Sequence, residues 1–156
     1  MLPMLDIIRK KILDPEKLDH TLGLWRFQGK KIVFTNGCFD LLHLGHIDYL
    51  SKASDEGDIL FIGLNSNAST ARLKGPNRPI TKEGARAMIL ASLHFVDAVV
   101  LFNEETPYDL IRKVQPDVLV KGSDYKEENI VGFDIVKDKG GIVKTTEGTA
   151  RYSGWR

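Results

Sequence analysis

The sequence predicts an α/β domain built on a doubly wound, parallel five-stranded sheet. Three observations predict it. Short runs of β-branched and aliphatic residues recur along the chain, too continuously apolar for strands with one wet face. Stretches with helical periodicity separate them, as strand–helix–strand units require. The size also fits: 156 residues, 42% of them hydrophobic, are enough for one domain that buries roughly 70% of its unfolded surface.

Asp14-Pro15-Glu16 predicts a helix start, with a cap, a proline at the first helical position and an acid near the positive end of the dipole. Leu18, Leu22 and Trp25 follow at helical spacing, and Gly29 closes the segment. Residues 1–29 are therefore expected to form a helical extension and residues 30–148 the domain. Lys31 to Thr35 is a β-branched and aromatic run that stops at Asn36-Gly37, the pattern of a first strand. A helix from about His46 to Glu56, with Ile47, Leu50 and Ala53 on one side, leads to a second strand over Ile59 to Leu64. Thr81 is placed as the cap of a helix that turns Ala85, Met88, Ile89 and Leu93 inward, before a third strand over Ala98 to Phe102. Thr106-Pro107 opens a further helix, with Leu110, Ile111 and Val114 inward. Val118 to Val120 and Ile142-Val143 supply the last two strands.

Charge and composition exclude several classes. With 22 basic and 21 acidic residues the net charge is +1, without the basic excess of a general nucleic-acid binder. No apolar run approaches the roughly 18 residues of a spanning helix, so a membrane partner is not expected. The start, MLPMLDIIRKK, puts its apolar piece before its charges, the reverse of a secretory signal. A single cysteine rules out an internal disulfide framework and fits a reducing compartment. A cytoplasmic location is expected. An apolar N-terminal helix would suit a homodimer.

Ligands of open α/β sheets sit at the carboxyl ends of the strands, where the strand order reverses. The stretch TNGCFDLLHLGH, residues 35 to 46, falls there and holds His43 and His46. A zinc site would lack ligands, because the histidines are three apart and only Cys38 lies nearby. A thiolate relay would pair Cys38 with a histidine but has no orienting acid beside it. A phosphate site uses more of the residues. Asn36-Gly37 would turn the chain so that backbone N–H groups face outward, Gly45 would leave room, and the helix start would add its positive end. Two imidazoles could then donate hydrogen bonds to phosphate oxygens.

The residues resemble a known family. His43-Leu44-Gly45-His46 matches the HxGH signature of the cytidylyltransferase-like nucleotidyltransferase superfamily. The stretches KIVFTNGCFDLLHLGHIDYL, GLNSNASTARLKGPNRPI, ILASLHFVDAVVLF, ETPYDLI and QPDVLVKGSDY are similar to the adenylyltransferase part of ADP-heptose synthases, over about Lys30 to Lys144. The resemblance implies a Rossmann-like sheet of the nucleotidyltransferase type. It implies transfer of AMP from ATP, with Mg²⁺, to D-glycero-β-D-manno-heptose 1-phosphate, releasing pyrophosphate for lipopolysaccharide core synthesis. A cytidylyltransferase acting on a polyol phosphate, and a nucleotide-binding module with impaired turnover, are the alternatives.

By this resemblance His43, His46 and Lys74 would stabilise the transition state. Thr35, Asn36, Gly37, Cys38, Phe39, Asp40 and Gly45 would cradle the phosphates, with Asp40 holding the loop in shape. Lys121, Gly122 and Asp124 would meet the nucleotide, and Asn65 and Arg78 the acceptor, with Arg78 taking its phosphate bidentately. No protein metal ligands are expected. Two departures stand out. Asn65-Ser66-Asn67 replaces the usual Asn-Ser-Asp, and TARYSGWR follows Gly148 where relatives continue with a Ser-Thr-Thr segment and a helix. Residues 149–156 are expected to be a flexible tail in which Thr149 and Ser153 substitute only in part, with weaker ATP binding as the result.

Overall fold

The computed structural model describes residues 1–146. Helix α1 (Met4–Arg9) has no buried residue, and the chain after it runs along the sheet: Val99 N–H donates to the Lys11 carbonyl and Leu13 N–H to the Val99 carbonyl. Helix α2 (Pro15–Phe27) follows. Asp14 occupies its cap position but its carboxylate makes no capping bond. Leu18 and Leu22, each 1% exposed, join the main core, so this part of the N-terminal segment is a layer of the fold.

The sheet strands are β1 (Ile32–Gly37), β2 (Ile59–Asn65), β3 (Ala98–Phe102), β4 (Val118–Gly122) and β5 (Ile142–Thr146). All paired strands are parallel, in the order β3-β2-β1-β4-β5. Between β1 and β2 lies α3 (Leu44–Ser54). Between β2 and β3 lie α4 (Asn67–Lys74) and α5 (Glu83–Ala91). Helix α6 (Tyr108–Val114) precedes β4, and a 3₁₀ turn (Glu127–Asn129) with α7 (Phe133–Asp138) precedes β5. Successive strand residues feed opposite layers, as the two-residue period of a strand dictates. Ile32, Phe34, Phe61, Ala98 and Val100 pack with α2, α6 and α7, whereas Val33, Leu60, Ile62, Leu64 and Val99 pack with α3 and α5. Both faces are covered, which explains why the strands read as continuous apolar runs. No helix among the described residues is long and apolar enough to cross a membrane.

Four local expectations are corrected. Helix α3 begins at Leu44, not His46, with His43 as its cap. Helix α5 begins at Glu83 rather than after Thr81, because Thr81 is held elsewhere: its N–H donates to Asp40 and its carbonyl accepts from Arg86. The buried face of α5 is Arg86, Ala87, Leu90 and Ala91; Ala85 and Ile89 are exposed, Met88 is half-buried, and Leu93, past the helix end, packs against the core as expected. Helix α4 replaces an expected loop. It buries only Ser69 and Thr70, and its start is fixed by Ser66 Oγ accepting from Ser69 N–H at 3.1 Å. Such a helix carries little of the apolar periodicity by which helices are read.

Strand order reverses between β1 and β4. The β1–β2 register runs from Ile32–Ile59 to Gly37–Leu64, but β1 and β4 pair only at Val33–Val118 and Phe34–Leu119. Beyond those residues the two strands part, and a crevice opens at their carboxyl ends.

Candidate active site

Side chains hold the crevice open by taking carbonyl groups that strand pairing would otherwise use. The Tyr49 hydroxyl of α3 lies 2.6 Å from Thr35 Oγ1 and donates to the Val120 carbonyl at 3.0 Å. Burial, with Asp124 nearby, pushes the Tyr49 phenol up to about 12, against the pull of the Thr35 hydrogen bond, so it stays protonated. From β4, Lys121 Nζ donates to the Asn36 carbonyl at 3.1 Å and lies 5.5 Å from the centre of the Tyr125 ring. Burial pushes the Lys121 ammonium down from its usual range.

The loop after β1 turns at Phe39, which adopts a left-handed conformation with φ of +44°. Asn36-Gly37, expected to supply the turn, has no positive φ at either residue. Gly37 is needed for clearance: a Cβ there would lie 2.9 Å from Phe39 Cε2. The Phe39 ring in turn packs edge-on to His46, with centres 5.5 Å apart. Among the described residues the N–H groups of Cys38 and Phe39 have no hydrogen-bond partner.

Asp40 fixes this loop to the segment before α5. One carboxylate oxygen accepts from Thr81 N–H at 2.8 Å, and the other from Arg78 Nε at 2.6 Å and Ile80 N–H at 2.9 Å. Burial alone would raise its pKa. The Thr81 and Ile80 hydrogen bonds and Arg78 outweigh it and hold the carboxyl at about 2.

The two histidines form one unit. Their rings stack with centres 4.0 Å apart and planes at 27°. His43 Nδ1 accepts from Gly45 N–H at 3.1 Å, and His46 Nδ1 accepts from His43 N–H at 3.3 Å. An imidazole that accepts at Nδ1 carries its proton on Nε2. Both rings therefore present an Nε2–H donor, oriented by the helix start that they themselves cap. Burial, then the charges of His43 and Lys74, push the His46 pKa down to about 4, so in the free protein it is neutral at physiological pH.

The cavity has two lobes. The larger, about 620 Å³, holds both histidines, Phe39, Asp40, Arg78, Gly122 and Asp124. The other, about 500 Å³, is lined by Asn65, Leu73, Glu105, Asn129 and Ile130. Asn36, Gly37, Cys38, Lys74, Lys121 and Tyr125 line both and form the boundary. Two lysines thus stand where the lobes meet.

Most of the expected site residues come together here, with three refinements. Thr35 lies in β1, fully buried, with its hydroxyl on Tyr49, and does not line either lobe. Gly45 is buried in the first turn of α3, its N–H spent on His43. Arg78 has its Nε committed to Asp40, so only its terminal nitrogens remain for a ligand. The expectations for Thr149 and Ser153 lie outside the described residues.

Sequence reasoning missed Tyr49, Arg86, Glu105 and Asn129. Arg86 is 1% exposed and donates to the carbonyls of Cys38, Asn65 and Thr81 and to Asn67 Oδ1. A charge inside an otherwise apolar helix face was its only signal. Asn67, the neutral departure, serves a capping role: its Oδ1 accepts from Glu83 N–H at 2.8 Å, and its own N–H donates to Glu83 Oε1 at 2.9 Å. A neutral acceptor suffices for that.

Comparison with known proteins agrees with this fold. Residues 34–146 match the family model described as cytidylyltransferase-like. A protein of Wolinella succinogenes named bifunctional protein HldE is 54% identical over 130 residues, covering 83% of this chain and 27% of its own. The protein of that name from Campylobacter curvus is 62% identical over 109 residues, 70% of this chain and 23% of its own. The chain thus spans about a quarter of the length of the curated relatives it matches. The crystal structure of a lipopolysaccharide core biosynthesis protein from Thermoplasma volcanium superposes with a TM-score of 0.62 at 32% identity, covering 78% of this chain and 98% of that one. A pantoate-beta-alanine ligase from Francisella tularensis shares the fold, with a TM-score of 0.59 at 21% identity over 87% of this chain and 66% of that one.

Proposed function

The chain belongs to the cytidylyltransferase-like family, and we propose from that premise that it transfers AMP from ATP to D-glycero-β-D-manno-heptose 1-phosphate. The products are ADP-heptose and pyrophosphate. The observation that carries the reading is the stacked histidine pair, with both Nε2–H donors fixed at the mouth of the β1–β4 crevice. The acceptor is chosen because the HldE proteins and the Thermoplasma lipopolysaccharide core protein resemble this chain at 32–62% identity.

An oxygen of the sugar phosphate attacks the α-phosphorus of ATP in line, and the bond from that phosphorus to the β-phosphate oxygen breaks. The chain's part is positioning and neutralisation of charge. The nucleotide phosphates lie in the histidine lobe, where His43 and His46 donate to oxygens that gain charge. The sugar occupies the lobe with Asn65, Glu105 and Asn129, whose polar groups suit hydroxyls. Lys74 and Lys121 at the boundary meet the two reacting phosphates, and Arg78 adds its terminal nitrogens. A preorganised donor of this kind contributes about 10²–10³ in rate. Magnesium enters with ATP as part of the substrate. Among the described residues there is no cluster of three His, Cys, Asp or Glu groups, and Asp40 is taken up by its three donors.

Pyrophosphate release tests the reading. The purified chain is supplied with ATP or CTP and a panel of sugar and polyol phosphates. Release with ATP and heptose 1-phosphate above all other pairs is the expected result. A preference for CTP would move the chain to cytidylyl transfer, and no release with any pair would leave a binding module.

A further inference from the structure

We propose that Arg86 is a positioning residue that aims the Phe39 N–H at the nucleotide phosphates, an inference that rests on the histidine lobe being the phosphate site. Arg86 is 1% exposed and forms no ion pair among the described residues. A buried guanidinium without a carboxylate is costly unless hydrogen bonds satisfy it. Here Nη1 donates to the Cys38 carbonyl at 2.8 Å and the Asn65 carbonyl at 2.7 Å. Nε donates to the Thr81 carbonyl at 2.8 Å, and Nη2 to Asn67 Oδ1 at 3.1 Å. One planar group therefore ties the ends of β1 and β2 to the segment before its own helix.

The Cys38 contact has a consequence for the cavity. A trans peptide is planar, with its C=O and N–H pointing opposite ways, and the one cis bond of the described chain is at Arg78-Pro79. With the Cys38 carbonyl drawn down onto the buried guanidinium, the N–H of the same peptide, that of Phe39, points away from it. Cys38 and Phe39 both line the histidine lobe, and we place the freed N–H on that lobe. This N–H has no partner among the described residues, and Phe39 sits at φ +44°. A non-glycine residue held left-handed is strained unless its surroundings fix it, and Arg86 supplies that fixation. The peptide becomes an anion donor with a positive charge beneath it, so its dipole needs no reorganisation when phosphate arrives. Lysine cannot replace the group, since one ammonium lacks the planar fork that reaches three carbonyls and an amide.

Pyrophosphate binding, measured on the full chain without turnover, separates this inference from the proposed function. In the wild type, pyrophosphate should shift the Phe39 amide proton downfield in an amide NMR spectrum. Arg86→Lys should weaken pyrophosphate about tenfold, the scale of one hydrogen bond to a charged acceptor, and abolish the Phe39 shift. Added guanidinium should restore both in Arg86→Ala. A merely structural role would lower the Tm and leave the folded protein's affinity at the wild-type value. That result, or a wild-type Phe39 amide that pyrophosphate does not move, overturns the proposal. The wild-type reading stands even where a variant fails to fold. A wild type that binds pyrophosphate through Phe39 but never turns over would retire adenylyl transfer and keep the role of Arg86.

Discussion

Replacing Asp40 by Asn keeps the side-chain shape and removes its charge. All three of its partners are donors: Thr81 N–H on one oxygen, Arg78 Nε and Ile80 N–H on the other. The amide nitrogen of an Asn therefore faces a donor whichever way it turns. The better orientation leaves Thr81 N–H unpaired, at about 1–3 kcal/mol, and changes two charged acceptors to neutral ones, at about 1 kcal/mol each. The expected loss is about 3–5 kcal/mol, a fall in Tm of about 6–20 °C for a domain of this size. Calorimetric unfolding at neutral pH measures it. The same scans at lower pH supply a signature. Because the folded carboxyl is held at about 2, below the ordinary 3.8, its contribution is complete above the ordinary value and is lost as pH falls through about 2. The gap between wild type and variant should narrow over that window. A variant within about 2 °C of wild type at neutral pH, less than the shift expected from 1 kcal/mol, would refute the reasoning, as would a gap indifferent to acid.

Gly37→Ala should drive the Phe39 ring from its place and with it the edge contact to His46; turnover should fall at least about tenfold in a protein that still folds, and unchanged kinetics would show that the ring moves freely. Tyr49→Phe leaves the Thr35 hydroxyl and the Val120 carbonyl without their partner, and urea unfolding should report a loss of about 2 kcal/mol. His46→Ala should cut turnover by about 10²-fold or more. In the wild type, stability should decline as pH falls from about 6.5 to about 4, because the unfolded imidazole takes a proton that the folded one resists; His46→Ala should remove this part of the pH profile.

The sheet was legible because strands buried on both faces have only one reading: Ala98 to Phe102 matches β3 residue for residue. The histidine pair was legible because a chemically rich turn after a first strand is rare. What stayed hidden depends on contacts distant in sequence. Helix α4 is held by hydroxyls, including Ser69 Oγ donating to the Glu104 carbonyl, and has no apolar stripe to read. The face of α5 was misplaced by one position, since Arg86 is inside only because carbonyls from two strand ends and Thr81 converge on it. Glycine chemistry pointed to Asn36-Gly37 for the turn. The turn falls at Phe39, where a buried arginine and a neighbouring strand hold a residue that has no intrinsic preference for it.

Direct, uncatalysed-by-covalency displacement at the α-phosphorus is the centre of this account, and the configuration of that phosphorus reports it. The chain would be given one diastereomer of adenosine 5′-(α-thio)triphosphate with heptose 1-phosphate, and the product's configuration read by phosphorus NMR. A single in-line transfer between the two lobes predicts an ADP-heptose analogue with inverted configuration. Retention would place a covalent nucleotidyl intermediate on Cys38 or a histidine, and the absence of any such product would contradict adenylyl transfer itself.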